Sequence, residues 1–445
     1  MSERISIKLL AITVLLGGWA TATFAETSLN RQQALDRAFE RNPDLQAAAE
    51  RVGQAEAQVA QATAAFYPTI TGRVGYSYSN DPSMAFSYIV AQRRFNNGHF
   101  GSINNPGFVE NFRPELITRW SLFNGGQDYY RRKAAELGAE AAELQRAALR
   151  NGLAAAVTSA YYAALAAPRQ VEVARRSILA VDSELEHARL MHKEGVLLKS
   201  DVLSLEVRRS QAREIELRTL NAVELTRSGL KTLLGMGAAE TVELRESALL
   251  TTEPAGEFAK RLTEALAQRP EMQAASRQVE MRQKEVRIAQ GAHLPRVNAY
   301  ASYCINERSP EFDFNRDNLT MGVNAEVDFF TGGAVSAKVT EARRKLAEAE
   351  ALREKTRLEI EDEVRQAHAN LNEAQQRQEV AEAAKAAAEE ALRLVHEQYR
   401  GGAATVTRYL EAEADRAASD MRAVTAGYDL QVASANLKKA VGYWK

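Results

Sequence analysis

The chain contains two copies of one long unit, and this internal duplication constrains its fold more than any other feature. The segment 42–45 (NPDL) returns as 269–272 (RPEM), and the strand-like and helix-like patterns that follow return in the same order. Gly195 returns as Gly402, at a second and shorter spacing. A repeat of this length predicts two pseudo-symmetric halves rather than a short-period solenoid.

The spacing between the copies changes inside one segment only. Residues 79–111 of the first copy correspond to 306–318 of the second, so the first copy is longer by about 20 residues there. Insertions of this size are tolerated where the chain is exposed and makes few contacts. We therefore expect an exposed loop tip at this point of each copy.

The composition excludes several classes of protein. Hydrophobic residues make up 45% of the 445 residues, the mean hydropathy is −0.36, and the formal charge is −1. Beyond residue 25 no apolar run approaches the roughly 20 residues of a membrane-spanning helix. Near-neutral charge gives no reason to expect a nucleic acid partner. Ten prolines in the whole chain favour long helices.

The first 25 residues have the pattern of a secretory signal peptide. Arg4 and Lys8 precede an apolar segment, 9–16, and residues 23–25 (TFA) form a small-x-small cleavage site. We expect export and cleavage after residue 25. Because Cys304 is the only cysteine, the exported chain forms no internal disulfide and is held by packing.

Helical patterns dominate both copies. The domain boundaries that we predict are a first repeat over 26–236, a linker over 237–256 and a second repeat over 257–445. Pro168 interrupts the first long helical run, where we expect a kink. The predicted helices are 30–41, 44–66, 127–194 and 201–234 in the first copy, and 257–268, 271–293, 334–400 and 408–441 in the second.

Four short segments alternate between apolar and polar residues and predict strands. They are 69–78, 115–123, 297–305 and 319–329, and each has the length that a tilted strand needs to cross a bilayer. In the last of them, apolar residues from Leu319 to Phe329 oppose polar ones such as Glu326 and Asp328. The alternative is a soluble four-stranded sheet that lies on a helical core.

Four strands cannot close a membrane barrel. A lipid-exposed sheet edge leaves backbone N–H and C=O groups without partners, at several kcal/mol each. Two chains would give eight strands with a filled interior, and three would give twelve with room for a pore. Since both ends of each strand pair continue into helices, the helices leave the membrane on one side and the loops 80–112 and 306–318 lie on the other.

These features together resemble the TolC-like outer-membrane efflux proteins over about residues 28–443. The resemblance rests on the order of several short motifs in both copies, since none of them is specific alone. They are the NPDL entry at 42–45, the Tyr67-Pro68 and Leu294-Pro295 steps before strands, the FNGG and FTGG exits at 123–126 and 330–333, and the EGVL turn at 194–197.

The resemblance implies a mainly α-helical homotrimer with a twelve-stranded membrane β-barrel and a long helical tunnel in the periplasm. It implies a passive exit duct of a tripartite efflux or type I secretion system in the outer membrane, surrounded by lipid. Its partners would be a periplasmic adaptor protein and an inner-membrane transporter. The alternative is a periplasmic coiled-coil adaptor or structural protein, although an adaptor would have one hairpin rather than two matched ones.

The resemblance also assigns a contact with the adaptor to the turns of the two helical hairpins. The alternative is that their glycines only end helices, but exposed valine and leucine in a turn need a reason. The residues carried over are Gly195, Val196, Leu197 and Leu198 in the first turn, and Gly402, Ala403, Ala404 and Thr405 in the second.

The same end of the hairpins is where family members constrict. Asp201 and Glu411 match acidic residues of that constriction, while Arg408 stands where the family has a second acid and Ala404 where it has an arginine. We hypothesise that Arg408 pairs with Asp201 or Glu411 and holds the tip shut. The alternative for Asp201 is a solvated helix start, where an acid interacts favourably with the helix dipole.

No catalytic or cofactor motif appears. The chain has no phosphate-binding glycine loop and no paired cysteines, so we expect neither an enzyme nor a cofactor. His396-Glu397 lacks the second histidine of a metalloprotease helix, and His187 and His192 are poorly spaced for one helix face. We therefore expect no metal site.

Overall fold

The structure is a computed structural model that describes residues 28–245, 254–310 and 312–444. The predicted signal peptide, 1–25, lies outside the described residues, and so do 246–253 of the predicted linker. In the first copy the elements are β1 (Ser28–Leu29), α1 (Arg31–Arg41), α2 (Pro43–Ala64), β2 (Thr69–Ser79), α3 (Pro82–Ala91), β3 (Val109–Asn124), α4 (Gln127–Lys193) and α5 (Lys199–Leu233).

The second copy repeats this order without an equivalent of α3. Both long helices, α4 and α8, have 67 residues, and both helices that return from them, α5 and α9, have 35. The elements are β4 (Glu243–Leu244), α6 (Phe258–Gln268), α7 (Pro270–Gly291), β5 (Arg296–Ile305), β6 (Asp317–Glu326), α8 (Ala334–Arg400) and α9 (Val406–Ala440).

The start of the second helix is built differently in the two copies. In the first, the Asn42 side chain accepts hydrogen bonds from the backbone N–H groups of Asp44 and Leu45, and it donates to Leu233 O over 3.0 Å. Asn42 thereby caps α2 and ties it to the end of α5. In the second copy Arg269 takes this position, and its buried guanidinium pairs with Glu271 at 2.8 Å and with Glu363.

Four strands form one antiparallel sheet in the order β2-β3-β5-β6. Pairing is continuous between β2 and β3 from Thr69↔Arg119 to Ser79↔Val109, while the pairing of β3 with β5 shifts between Ser121 and Phe123. The strands β2 and β6 lie at opposite edges, so the sheet is open within the chain. One face carries a concavity of about 850 Å³ that includes Arg73, Glu115, Arg119 and Asn324.

The strand bounds and the insertion differ from the sequence expectation. The strand β3 begins at Val109 rather than at 115, because its early residues extend the pairing with β2. The strand β6 ends at Glu326 rather than at 329, which leaves Phe329 95% exposed beyond the sheet. The insertion is not only an exposed loop, since it contains α3, which packs against β3.

The buried Gln92 side chain fastens the inserted helix to the sheet. Its amide nitrogen donates to Glu110 O at 2.8 Å and to Asn111 Oδ1 at 3.1 Å, and it lies 3.4 Å from Glu307 O. Ala85 of α3 is fully buried as well. The loops of both copies therefore meet at this end of the sheet, where the Gln92 side chain donates hydrogen bonds to buried polar groups from both copies.

The long helices lie side by side in the order α5-α4-α9-α8. The central pair, α4 and α9, pack on each other, and each also packs on its own hairpin partner, α5 or α8. The helix α2 packs on α4, and α7 packs on both α4 and α8. At about 1.5 Å per residue the helices α4 and α8 are roughly 100 Å long. Much of the buried surface is alanine, which allows close approach of the helices.

The outer helices of this row carry exposed apolar stripes. On α5, Leu203, Val207, Leu217 and Leu225 are each between 49% and 68% exposed, and at about 100° per residue they fall on one side of the helix. On α8, Leu358, Val380 and Leu394 form a similar stripe and are 52%, 68% and 44% exposed. These stripes leave both flanks of the row with uncovered apolar surface.

Among the described residues, a large apolar cluster lies where the linker meets the long helices. Tyr161 on α4 is fully buried, and its hydroxyl donates to Arg245 O at 2.7 Å, just beyond β4. The strand β1 pairs in parallel with β4, so both chain segments are held against α4. In the described part of the chain, no helix contains a stretch long and apolar enough to span a membrane.

Pro168 does not end the first long helix. The helix α4 is continuous from Gln127 to Lys193, with the proline inside it. The corresponding residue in α8 is Gln375, which has a backbone N–H that proline lacks. The neighbouring elements that pack on α4 thus hold it helical through a residue that disfavours a helix interior.

Candidate functional site

The turn of the first hairpin exposes apolar side chains at the end of the helix row. Gly195 has φ +76°, which allows the left-handed turn that ends α4. Val196 and Leu198 are 65% and 70% exposed, whereas Leu197 is partly buried. The ring nitrogen Nδ1 of His192 lies 2.8 Å from Leu197 O and holds the turn against the helix.

The turn of the second hairpin has the same backbone with a more polar surface. Gly402 also has φ +76°, and its N–H donates to Tyr399 O at 3.0 Å, as the Gly195 N–H donates to His192 O. Thr405 caps α9, because its hydroxyl accepts from the Arg408 backbone N–H at 3.2 Å. Ala403 is exposed and Ala404 is partly buried. The eight predicted tip residues thus form two matched turns.

One apolar cluster joins the two hairpins directly above the turns. Leu205 on α5 is fully buried, and Val406 at the start of α9 is 4% exposed. The cluster draws residues from α4, α5 and α9, so the two turns lie next to each other as one tip. Its buried members are Val181, Leu185, Ala188, Val202, Leu205 and Val406.

The predicted gate residues are placed on the two hairpins with different partners. Arg408 Nη1 lies 3.3 Å from Glu411 Oε2, and their side chains are 62% and 58% exposed. Asp201 lies in the first turn of α5, and the described ion pairs join Arg408 to Glu411 rather than to Asp201. An exposed pair one turn apart contributes at most about 1 kcal/mol. Within one protomer, Arg408 and Glu411 therefore meet, and Asp201 stays apart.

A buried polar group above the tip was not predicted from the sequence. Glu413 on α9 is fully buried and pairs with Arg416 at 2.7 Å, while Arg416 also pairs with Asp420 at 3.0 Å. Burial alone would lower the pKa of Arg416, but its bonds to Glu413 and the charge of Asp420 raise it. Lys385 on α8 reaches Asp420 at 3.5 Å. This network ties α9 to α8 within the second hairpin.

A comparison of the copies could have indicated this network. Glu413 and Arg416 match Glu206 and Arg209 of the first copy, but Asp420 matches Arg213. In the first copy Arg209 crosses the hairpin to Asp182 on α4, whereas in the second copy the pair across the hairpin is Lys385 with Asp420. The charge reversal at Asp420 is thus the sequence signal that the two hairpins are held together in different ways.

The comparisons with known proteins agree with this architecture. The chain matches the outer membrane efflux protein family over residues 34–236 and 262–443, and it belongs to that family. It is 27% identical over 460 residues to the outer membrane efflux protein BepC of Brucella suis, covering 98% of this chain and 90% of BepC. It is 26% identical to the pyoverdine export outer membrane protein OpmQ of Pseudomonas aeruginosa, covering 92% and 84%.

Solved structures give the same fold. The outer membrane protein VceC of Vibrio cholerae superposes with a TM-score of 0.78 at 20% identity, covering 93% of this chain and 96% of VceC. The family match makes the protein a TolC-like channel protein of the outer membrane rather than an enzyme. In the described residues, no group of three potential ligands is arranged to hold a metal ion.

Proposed function

We propose that this protein is the passive exit duct of a tripartite efflux or type I secretion system and works as a homotrimer. The observation that carries the proposal is the open sheet. Its edge strands β2 and β6 are 11 and 10 residues long and expose unpaired backbone groups along their outer sides. In lipid these groups need partners, and three copies joined edge to edge supply them in a barrel of twelve strands.

The apolar surfaces of the chain support the same assembly. Ile70, Val74, Met321 and Val323 are each between 66% and 68% exposed on the edge strands, as lipid-facing side chains of a barrel would be. The exposed stripes on α5 and α8 lie at opposite flanks of the helix row. Joining α5 of one protomer to α8 of the next covers both stripes and closes a helical tunnel below the barrel.

The test of the assembly is the mass and conductance of the mature protein. Light scattering of the detergent-solubilised protein should give three chains per particle, and planar bilayers that contain it should show discrete conductance steps. A monomer that stays in the aqueous phase and never inserts into lipid would contradict the proposal.

The tip is where this duct would meet a periplasmic adaptor and open. Val196 and Leu198 offer exposed apolar contacts, and the small residues Ala403 and Ala404 let a partner helix approach closely. The inner-membrane transporter of such a system would supply the energy, because the chain has no nucleotide-binding motif. One of the relatives is named for pyoverdine export.

Arg408 provides the test of the gate. In a trimer the Arg408–Glu411 pair would occur three times around the tip, so pairs that are weak alone would act together. We expect Arg408→Ala to raise the single-channel conductance and the entry of large antibiotics. Arg213→Ala, which removes the same charge from α5 away from the tip, is the control. Equal conductance of Arg408→Ala and the unmodified protein would rule out this gate.

A further inference from the structure

A cavity of about 460 Å³ lies between the two hairpins above the tip. Three helices line this open cavity, one from the first hairpin and two from the second, so it crosses the joint between the repeats. Its position is separate from the exposed turns that the adaptor would contact. The side chains used below that line it are Glu184 from α4, Arg393 and His396 from α8, and Tyr409 and Arg416 from α9.

Glu184 is the unsatisfied group of this cavity. The residue is 6% exposed, and its Oε1 atom accepts no hydrogen bond. The nearest ionic neighbour is His396, whose Nε2 lies 3.9 Å from Oε2, beyond hydrogen-bond distance. The buried hydroxyl of Tyr399 lies beside Glu184 and interacts with its carboxylate, but without the geometry of a well-formed hydrogen bond. A buried carboxylate oxygen without a donor is costly, so the site is incomplete as it stands.

The arginines of the cavity do not complete it. Arg416 is already held by Glu413 at 2.7 Å and by Asp420 at 3.0 Å. Arg393 is held by two carboxylates of its own helix, both at 2.7 Å. Each guanidinium therefore has its charge balanced elsewhere, and Glu184 faces the cavity without an arginine partner, with the His396 ring nitrogen 3.9 Å away as its ionic neighbour.

The aromatic side chains beside Glu184 favour a cation as the missing partner. The Tyr409 ring is 4% exposed, stacks on Tyr399 with centroids 5.6 Å apart, and lies 5.5 Å from the His396 ring. A carboxylate next to aromatic faces recognises ammonium and guanidinium groups through charge-assisted hydrogen bonds and cation–π contact. We propose that this cavity binds a small organic cation with a primary ammonium or guanidinium group.

Such a ligand would bridge the two hairpins. Glu184 belongs to the first hairpin, and the aromatic rings belong to the second, so one bound cation contacts both. On the basis of the proposed function, in which the tip opens when the hairpins move apart, the bound cation would favour the closed tip. A ligand that binds one arrangement better than the other shifts the equilibrium by that difference in affinity.

Calorimetry of the detergent-solubilised full-length trimer tests the site directly. The probe is agmatine, which carries both cationic groups, and the neutral comparison is N-butylurea. We expect saturable binding of agmatine at one site per protomer and none of N-butylurea. Glu184→Gln should weaken agmatine at least tenfold, whereas Glu186→Gln, an exposed acid on the same helix, should leave it unchanged. Equal loss in both variants, or no saturable binding, would overturn the site.

Two further measurements keep the test decisive. If Glu184→Gln yields no trimer, Tyr409→Leu removes the aromatic face instead, and unchanged agmatine affinity in that variant contradicts the proposed site. Conductance in bilayers then tests the link to gating, with agmatine expected to lower the open probability at Glu184-containing tips only. Binding without any effect on conductance would overturn the link while leaving both the site and the channel function in place.

Discussion

Two glycines in helices, one with open space around it and one tightly packed, show that the effect of a residue depends on its tertiary contacts. A Cβ atom on Gly53 in α2 would meet nothing within 4 Å. A Cβ atom on Gly291 at the end of α7 would lie 2.5 Å from Gly125 O and 2.8 Å from Gln127 Cγ. The close approach of these two backbones joins α7 to the start of α4, and only a residue without a side chain permits it.

We predict that alanine at these two glycines changes stability in opposite directions. Gly53→Ala should stabilise by about 0.5–1 kcal/mol, because alanine loses less backbone entropy in a helix. Gly291→Ala should destabilise by about 1–3 kcal/mol, because the added methyl group overlaps the Gly125 backbone. Urea-unfolding midpoints of the two variants check this. A stabilised Gly291→Ala protein would show that the backbones of Gly291 and Gly125 lie farther apart than described.

Tyr399 gives the tip a stability that depends on pH. Burial, followed by the charge of Glu184, raises the pKa of Tyr399 to about 12 from its ordinary value of 10.0. The folded protein thus holds this proton more tightly than the unfolded chain. Its contribution to stability is complete below about pH 10 and is lost as the pH rises towards 12. Burial also raises the pKa of Tyr409.

We therefore expect Tyr399→Phe to lose less stability than the unmodified protein between pH 9 and about 11.5. Tyr443→Phe is the control, because Tyr443 is 63% exposed at the other end of the hairpin. Melting temperatures across this range measure the difference. Parallel pH profiles for Tyr399→Phe and the unmodified protein would mean that folding does not raise the pKa of Tyr399.

At the scale of elements, the long helix α4 tolerates a residue that its partner α8 avoids. Pro168 leaves the carbonyl of residue 164 without its helical donor, while Gln375 keeps this bond in α8. The sequence predicts a kink here; the helix is continuous through the proline, and the kink stays a prediction. Packing of α4 against its neighbours, with α5 beside the proline, supplies the stabilisation that a proline-containing helix lacks on its own.

Exchange of these two residues tests that account. Gln375→Pro should destabilise by about 3 kcal/mol, and Gln375→Ala separates this backbone effect from loss of the side chain. Pro168→Gln should stabilise by about 1–3 kcal/mol, because it restores the missing backbone donor. Chemical unfolding of all three variants gives the comparison. A destabilised Pro168→Gln protein would indicate that the repeat needs the proline's local geometry.

At the scale of the whole molecule, the proposed trimer makes the exposed stripe on α5 an interface. Leu217 is 68% exposed in the single chain and lies on the stripe. Arg218 is the next residue and points to another side of the helix, where it pairs with Glu214. Leu217 and Arg218 are therefore adjacent in the same helix, but only Leu217 lies on the surface that a neighbouring protomer would cover.

We predict that Leu217→Ser lowers the temperature at which the trimer dissociates, because it removes buried apolar surface three times per particle. Arg218→Ser should leave that temperature nearly unchanged, since exposed ion pairs contribute little. Gel migration of unheated and stepwise heated samples measures the dissociation. Equal shifts for the two variants would place the protomer interface elsewhere.

The sequence by itself determined the repeat, the helix lengths and the family. These follow from local signals, because helical and strand periodicities and turn glycines such as Gly195 and Gly402 act over a few residues. Because the unit is duplicated, each of these signals occurs twice in the sequence. The family match confirms the identification as a TolC-like outer-membrane protein.

Only the tertiary structure decided how distant segments meet. The extension of β3 to Val109, the position of Gln92 between two loops, and the lack of a hydrogen-bond partner at Glu184 Oε1 each depend on residues far apart in the chain. The ion pair that Arg408 makes with Glu411 rather than with Asp201 also belongs to this class. Periodicity says which side of an element is apolar, but the partner that covers it is set by packing.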